Sequence, residues 1–100
     1  MRYLSLEVVL ELDDAIEAYE GQRPNRGARF EAEVVATYRR IEEAPLAFPR
    51  SHIIRRPVLR RARIMRFPYA VFFYLLRGEP IVVAIAHGRR EPGYFRDRMR

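Results

Sequence analysis

Two apolar runs in the last third of the chain, Tyr69–Leu76 and Ile81–His87, constrain its fold more than any other feature. Both are rich in β-branched and aromatic residues, and Arg77-Gly78-Glu79-Pro80 between them reads as a turn. A third stretch, Val58–Phe67, has a mixed strand pattern. It is expected to place Val58, Ala62 and Ile64 toward the core, with Arg61 and Arg63 facing away. Pro68 belongs at an edge or a bulge, because it cannot donate to a ladder. Three sequential strands with short connections predict an antiparallel meander.

The first half supplies helices to cover that sheet. Arg2–Leu6 reads as a short strand and Glu7–Gly21 as a helix with Val9, Leu12, Ile16 and Tyr19 on one face. Glu11, Asp13, Asp14, Glu17 and Glu20 cover the rest of it. After a turn at Arg23-Pro24-Asn25, a second helix is expected to run to Glu43 with Phe30, Val34, Tyr38 and Ile41 as its stripe. Ala44-Pro45 ends it, since a residue before proline disfavours helical geometry. Leu46–Pro57 reads as loop. Two such helices joined by a short loop predict an antiparallel αα-hairpin. The fold class is therefore α+β: an N-terminal αα-hairpin on a small twisted antiparallel sheet, with a short C-terminal helix or tail. The 100 residues are expected to form a single domain.

Composition narrows the function. There is no cysteine, which excludes disulfides and Cys-based metal sites and suits a reducing cytoplasm. Glu7 comes too early for a signal-peptide core, and no apolar run reaches the roughly 18 residues that a membrane span needs. Residues 1–43 hold 6 Arg and 10 acids, whereas residues 44–100 hold 13 Arg and 3 acids. No acid lies between Glu43 and Glu79. A surface so biased attracts polyanions and acidic protein partners. All 19 basic residues are Arg, a pattern that also follows from biased codon usage.

Candidate chemistry gathers near His87-Gly88-Arg89-Arg90. His52 and His87 lack the spacing of metal ligands, so neither a metal nor a cofactor is expected. His87 ends a core strand, and its reference pKa of about 6.5 suits a general acid or base. A structural histidine bonded to a nearby turn fits the same position. Arg66, Arg89 and Arg90 can pair with a phosphate and stabilise its developing charge. Strand alternation puts Arg61 and Arg63 on one face, where they can track a phosphate backbone. Tyr94 and Phe95, interleaved with Arg96, Arg98 and Arg100, can stack on unpaired bases or pin a terminal helix onto the sheet.

Several of these pieces occur in a familiar order. Ala15-Ile16-Glu17-Ala18-Tyr19 and Gln22-Arg23-Pro24 precede Phe30. Ile41-Glu42-Glu43-Ala44-Pro45 and Phe48-Pro49 follow. Arg66-Phe67-Pro68-Tyr69-Ala70-Val71-Phe72-Phe73-Tyr74 then leads to His87-Gly88-Arg89-Arg90-Glu91-Pro92. The combination resembles the RelE/ParE superfamily of toxins from bacterial type II toxin–antitoxin modules, often labelled plasmid stabilisation proteins. The resemblance implies a cognate antitoxin, and a toxin–antitoxin hetero-oligomer or a homodimer. It implies one of two targets: messenger RNA on the ribosome, cut by RelE-like members, or DNA gyrase, inhibited by ParE-like members. A RelE-like site resembles a basic cluster of Lys and Arg, often with a C-terminal Tyr or His, in which a Lys can serve as base. Here Arg61, Arg63, Arg66, Arg90 and Tyr94 would fill the cationic and aromatic roles, with His87 as base and Glu91 second, since the chain has no Lys. Lacking that Lys, it reads more readily as ParE-like. A degenerate, non-toxic binding module is the third reading.

Overall fold

The computed structural model describes residues 4–51, 56–88, 95 and 97–99. Helix α1 spans Leu6–Gln22, because Ser5 takes extended geometry and its side chain accepts from the Val8 N–H at 3.3 Å. The cap corrects the expected strand at Arg2–Leu6: Leu6 opens the helix, while Arg2 and Tyr3 lie outside the described residues. Helix α2 spans Arg26–Glu43 and ends at Ala44, whose N–H bonds the Arg40 carbonyl at 3.0 Å. A single 3-10 turn, Pro45–Ala47, follows within the expected loop.

The helical hairpin is locked at its tip. Asn25 adopts left-handed geometry, φ 71°, which asparagine tolerates. Glu20 reaches from α1 to the start of α2, and its carboxylate accepts from the Asn25 N–H at 3.0 Å and the Gly27 N–H at 3.1 Å. Gly27 permits the close crossing: a β-carbon there would meet the Ile16 carbonyl oxygen at 2.6 Å.

Strands β1 (Arg60–Arg63), β2 (Tyr69–Leu76) and β3 (Glu79–His87) form an antiparallel meander in the order β1-β2-β3. Arg77 and Gly78 alone make the β2–β3 turn, both at positive φ (51° and 80°), as a twist-matched two-residue hairpin requires. Glu79 and Pro80 therefore belong to β3, not to the turn. Pro68 immediately precedes β2, outside the ladder.

The register carries one irregularity of consequence. Leu76 pairs with Glu79 and Phe73 with Val82, but Phe72 pairs with Ala84 and Tyr69 with His87. One extra residue, Val83, is bulged into β3. Because side chains alternate along a strand, this insertion moves residues 84–87 to the face opposite the one an unbroken ladder would give them.

The helices cover one sheet face. Val8, Ala15, Tyr19, Phe30, Val34 and Ile41 pack there with Ala62, Ile64, Val71, Phe73, Val82 and Ile85. Val8 replaces the expected Val9 on the buried line of α1. This helix packs against both α2 and β3, so Leu12 and Ile16 flank the line partly buried. On α2, Thr37 is fully buried and Tyr38 only partly. Thr37 is satisfied locally: its hydroxyl donates to the Glu33 carbonyl at 2.7 Å and accepts from Arg40 at 3.2 Å. On the other sheet face Leu59, Ala70, Phe72, Val83, Ala84 and Ala86 are covered by Phe95, with Met99 packed alongside. Phe95 stacks on Phe72 at 5.2 Å between centroids. Val58 is exposed and Leu59 buried, which corrects the expected inward Val58.

Candidate functional site

One end of the sheet gathers Arg61, Arg66 and His87 among the described residues. The β1–β2 loop, the exit of β3 and the tip of the helical hairpin meet there around four rings. Tyr19, Phe30, Phe67 and Tyr69 stack with centroids 4.9 to 5.9 Å apart. His87 adds an edge contact to Tyr69 at 5.4 Å. The Arg66-Phe67-Pro68-Tyr69 segment thus supplies two of the rings that fasten the hairpin to the sheet. The loop is closed by the Ile64 N–H on the Tyr69 carbonyl (2.9 Å) and the Phe67 N–H on the Ile64 carbonyl (3.3 Å). The Gly88 N–H donates to the Pro68 carbonyl at 2.7 Å and ties in the exit of β3.

Arg66 sits in this loop rather than at the end of a strand. It is exposed and held in left-handed geometry, φ 70°. It lines a cleft on the helix side together with Arg26 and Arg29 of α2. His87 lines a different and smaller pocket with Glu11, Asp14 and Ala15 of α1. It pairs with Tyr69 on the helix-covered face, the face it shares with Ile85.

Arg61 and Arg63 take the opposite face. They pair with Phe72 and Ala70, both buried in the second cluster, and both arginines are exposed. Arg61 extends to the same end of the sheet, where a β-carbon built on Gly88 would lie 3.6 Å from its Nη2. The Val83 bulge is the cause of the separation. Without it His87 would project on the side of Arg61 and Arg63.

This arrangement limits the chemistry. A general base must come within hydrogen-bond reach, about 3 Å, of the proton it takes. His87 and the Arg61–Arg63 pair leave the sheet from opposite faces, so the histidine does not stand beside these cations along the strands. Asp14 beside His87 adds negative charge to that pocket.

Arg98 is engaged inside the fold. Its Nη1 donates to Glu11 at 3.0 Å and to the Val83 carbonyl at 3.1 Å. The same Glu11 oxygen accepts from the Ile85 N–H at 3.1 Å. The pair therefore closes the middle of the outer edge of β3. Nothing in the sequence pattern marked Glu11 for this role, since it looked like one acid among five on a solvated helix face. Arg89, Arg90, Tyr94 and Arg96 lie outside the described residues, as does His52.

Tyr38 is a further group that sequence reasoning treated only as packing. Its hydroxyl is buried with no hydrogen-bond partner among the described residues. Burial pushes its pKa well up, and the charge of Glu11 adds to the shift. Among the described residues no three His, Asp or Glu side chains are grouped to hold a metal ion, and no helix is long and apolar enough to cross a membrane.

No family model matches the chain, and neither a curated protein nor a solved structure matches it.

Proposed function

We propose that this chain is the toxin of a bacterial type II toxin–antitoxin module, acting in the ParE-like manner by inhibiting DNA gyrase. The motif order of the RelE/ParE superfamily suggests the module. A helical hairpin followed by a three-stranded antiparallel sheet is compatible with that class.

One observation carries the choice of target: the bulge at Val83 turns His87 toward the acids of α1 and away from Arg61 and Arg63. A ribonuclease needs its base and its phosphate-binding cations on one side. A protein that inhibits by gripping a partner needs only an exposed surface, and Arg61 and Arg63 offer one. The antitoxin expected for such a toxin carries an acidic or amphipathic segment, which the excess of Arg over acids in residues 44–100 suits.

Expression in a bacterial host tests the reading. Growth arrest is expected from the chain alone, with relief by the product of the adjacent small gene. His87→Ala should arrest growth as the parent does. Harmless expression at high level, with no partner from its own locus, would leave the degenerate binding module. Loss of arrest in a folded His87→Ala protein would favour the RelE-like ribonuclease.

A further inference from the structure

We propose that the cleft between the start of α2 and the β1–β2 loop is a binding site for a phosphate monoester, held by Arg26, Arg29 and Arg66. The cleft measures about 310 Å³, and Ala32, Glu33 and Phe67 complete its wall. That volume lies at the small end of ligand pockets and suits one phosphate with a sugar-sized group attached.

Three features point to an anion there. First, none of the three arginines has an ion-pair partner among the described residues. Second, Arg26 is already partly dehydrated. Its guanidinium stacks 5.1 Å from the Tyr19 ring and 5.5 Å from the Phe67 ring, and its Nε is buried without a hydrogen-bond partner among the described residues. A buried cationic donor left unpaired is costly and is ordinarily satisfied by an acceptor. Third, Arg66 occupies a left-handed position that Gly or Asn would take at less cost. Its charge is held at the cleft mouth against its backbone preference.

The N-terminus of α2 does not carry the argument, because Glu20 already takes the Asn25 and Gly27 amides. The wall also sets selectivity. Three arginines and one glutamate leave a formal charge of +2, which a monoester dianion neutralises. Glu33 can accept a hydrogen bond from a sugar hydroxyl, and it would repel a second phosphate. The ligand class is therefore a sugar phosphate monoester, for which a nucleoside monophosphate, free or as the phosphorylated end of a strand, is the probe. The site is independent of the target proposed above.

Calorimetric titration of the purified full chain at fixed ionic strength tests this. The probes are adenosine 5′-monophosphate, adenosine 5′-diphosphate, adenosine, inorganic phosphate, and one short oligonucleotide with either a 5′-phosphate or a 5′-hydroxyl. The monophosphate should bind more tightly than the diphosphate or inorganic phosphate, and adenosine should not bind. Arg29→Ala and Arg66→Gly should each weaken binding about tenfold or more, the loss of one charged hydrogen bond. Exposed Arg39→Ala, at the far end of α2, should not. Arg66→Gly separates site from fold, because its urea midpoint should hold or rise while binding falls. Binding that depends on the 5′-phosphate of the oligonucleotide assigns the strand end; binding of the mononucleotide alone assigns the free ligand. Equal affinity for adenosine and its monophosphate, or unchanged binding in both Arg29→Ala and Arg66→Gly, would overturn the proposal.

Discussion

Replacing Glu11 by Ala is expected to be among the most damaging substitutions on the acidic surface of α1. Its carboxylate holds the Ile85 N–H at 3.1 Å and Arg98 at 3.0 Å, with side-chain exposures of only 16% for Glu11 and 23% for Arg98. Leaving a partly buried N–H unpaired costs about 1–3 kcal/mol, and losing a charged hydrogen bond about 1.5–3 kcal/mol. Partial solvent contact favours the low end of both ranges. Glu11→Ala should then cost roughly 2–4 kcal/mol in urea unfolding, against a typical domain stability of about 5–15 kcal/mol. The melting temperature should fall by about 10–25 °C. Arg98→Ala should cost less, because Glu11 keeps Ile85 satisfied. The double variant should show a coupling of about 1 kcal/mol. The change also frees the middle of the β3 edge for pairing with other chains, so aggregation on heating should increase. A Glu11→Ala change within about 0.5 kcal/mol of the parent, the range of ordinary surface substitutions, would show that this carboxylate does not hold the β3 edge. So would zero coupling to Arg98.

Phe30→Ala removes a ring stacked on Tyr19, Phe67 and Tyr69 and should cost about 3–5 kcal/mol, seen as a loss of cooperative melting or a much lower midpoint. Tyr38→Phe removes a buried hydroxyl that has no hydrogen-bond partner among the described residues and should raise the urea midpoint by an amount worth about 1 kcal/mol. Because the folded state holds the Tyr38 proton above the unfolded value of about 10, its contribution is complete below that pH and is lost as pH rises through the folded value. Tyrosinate absorbance should therefore lose a late-ionising component in Tyr38→Phe, and that variant should flatten the alkaline fall in stability.

The elements were legible in the sequence because each has a local cause. Ala44-Pro45 stops α2, Arg77-Gly78 can take two positive φ angles, and the runs around Phe72 and Ile85 cannot remain in water. What the sequence hid depends on distant partners. Val58 and Leu59 are equivalent as letters, and only the ladder decides which is buried. Glu20 and Glu11 look like solvated acids until a backbone amide from another element is brought to each. Arg98 looked like a target contact, but its guanidinium is committed to Glu11 and the Val83 carbonyl. The face of His87 depends on one bulged valine within a uniformly apolar run, where no polar alternation marks the insertion. That single residue puts His87 on the face opposite Arg61 and Arg63.

Purified protein added in parallel to gyrase with relaxed DNA and ATP, and to translating ribosomes with messenger RNA, tests whether the chain acts on a partner surface rather than by cutting RNA. A gyrase inhibitor should give loss of supercoiling at stoichiometric protein, intact messenger RNA, and the same result with His87→Ala. Ribosome-dependent cleavage that vanishes in His87→Ala, with gyrase unaffected, would establish a ribonuclease instead.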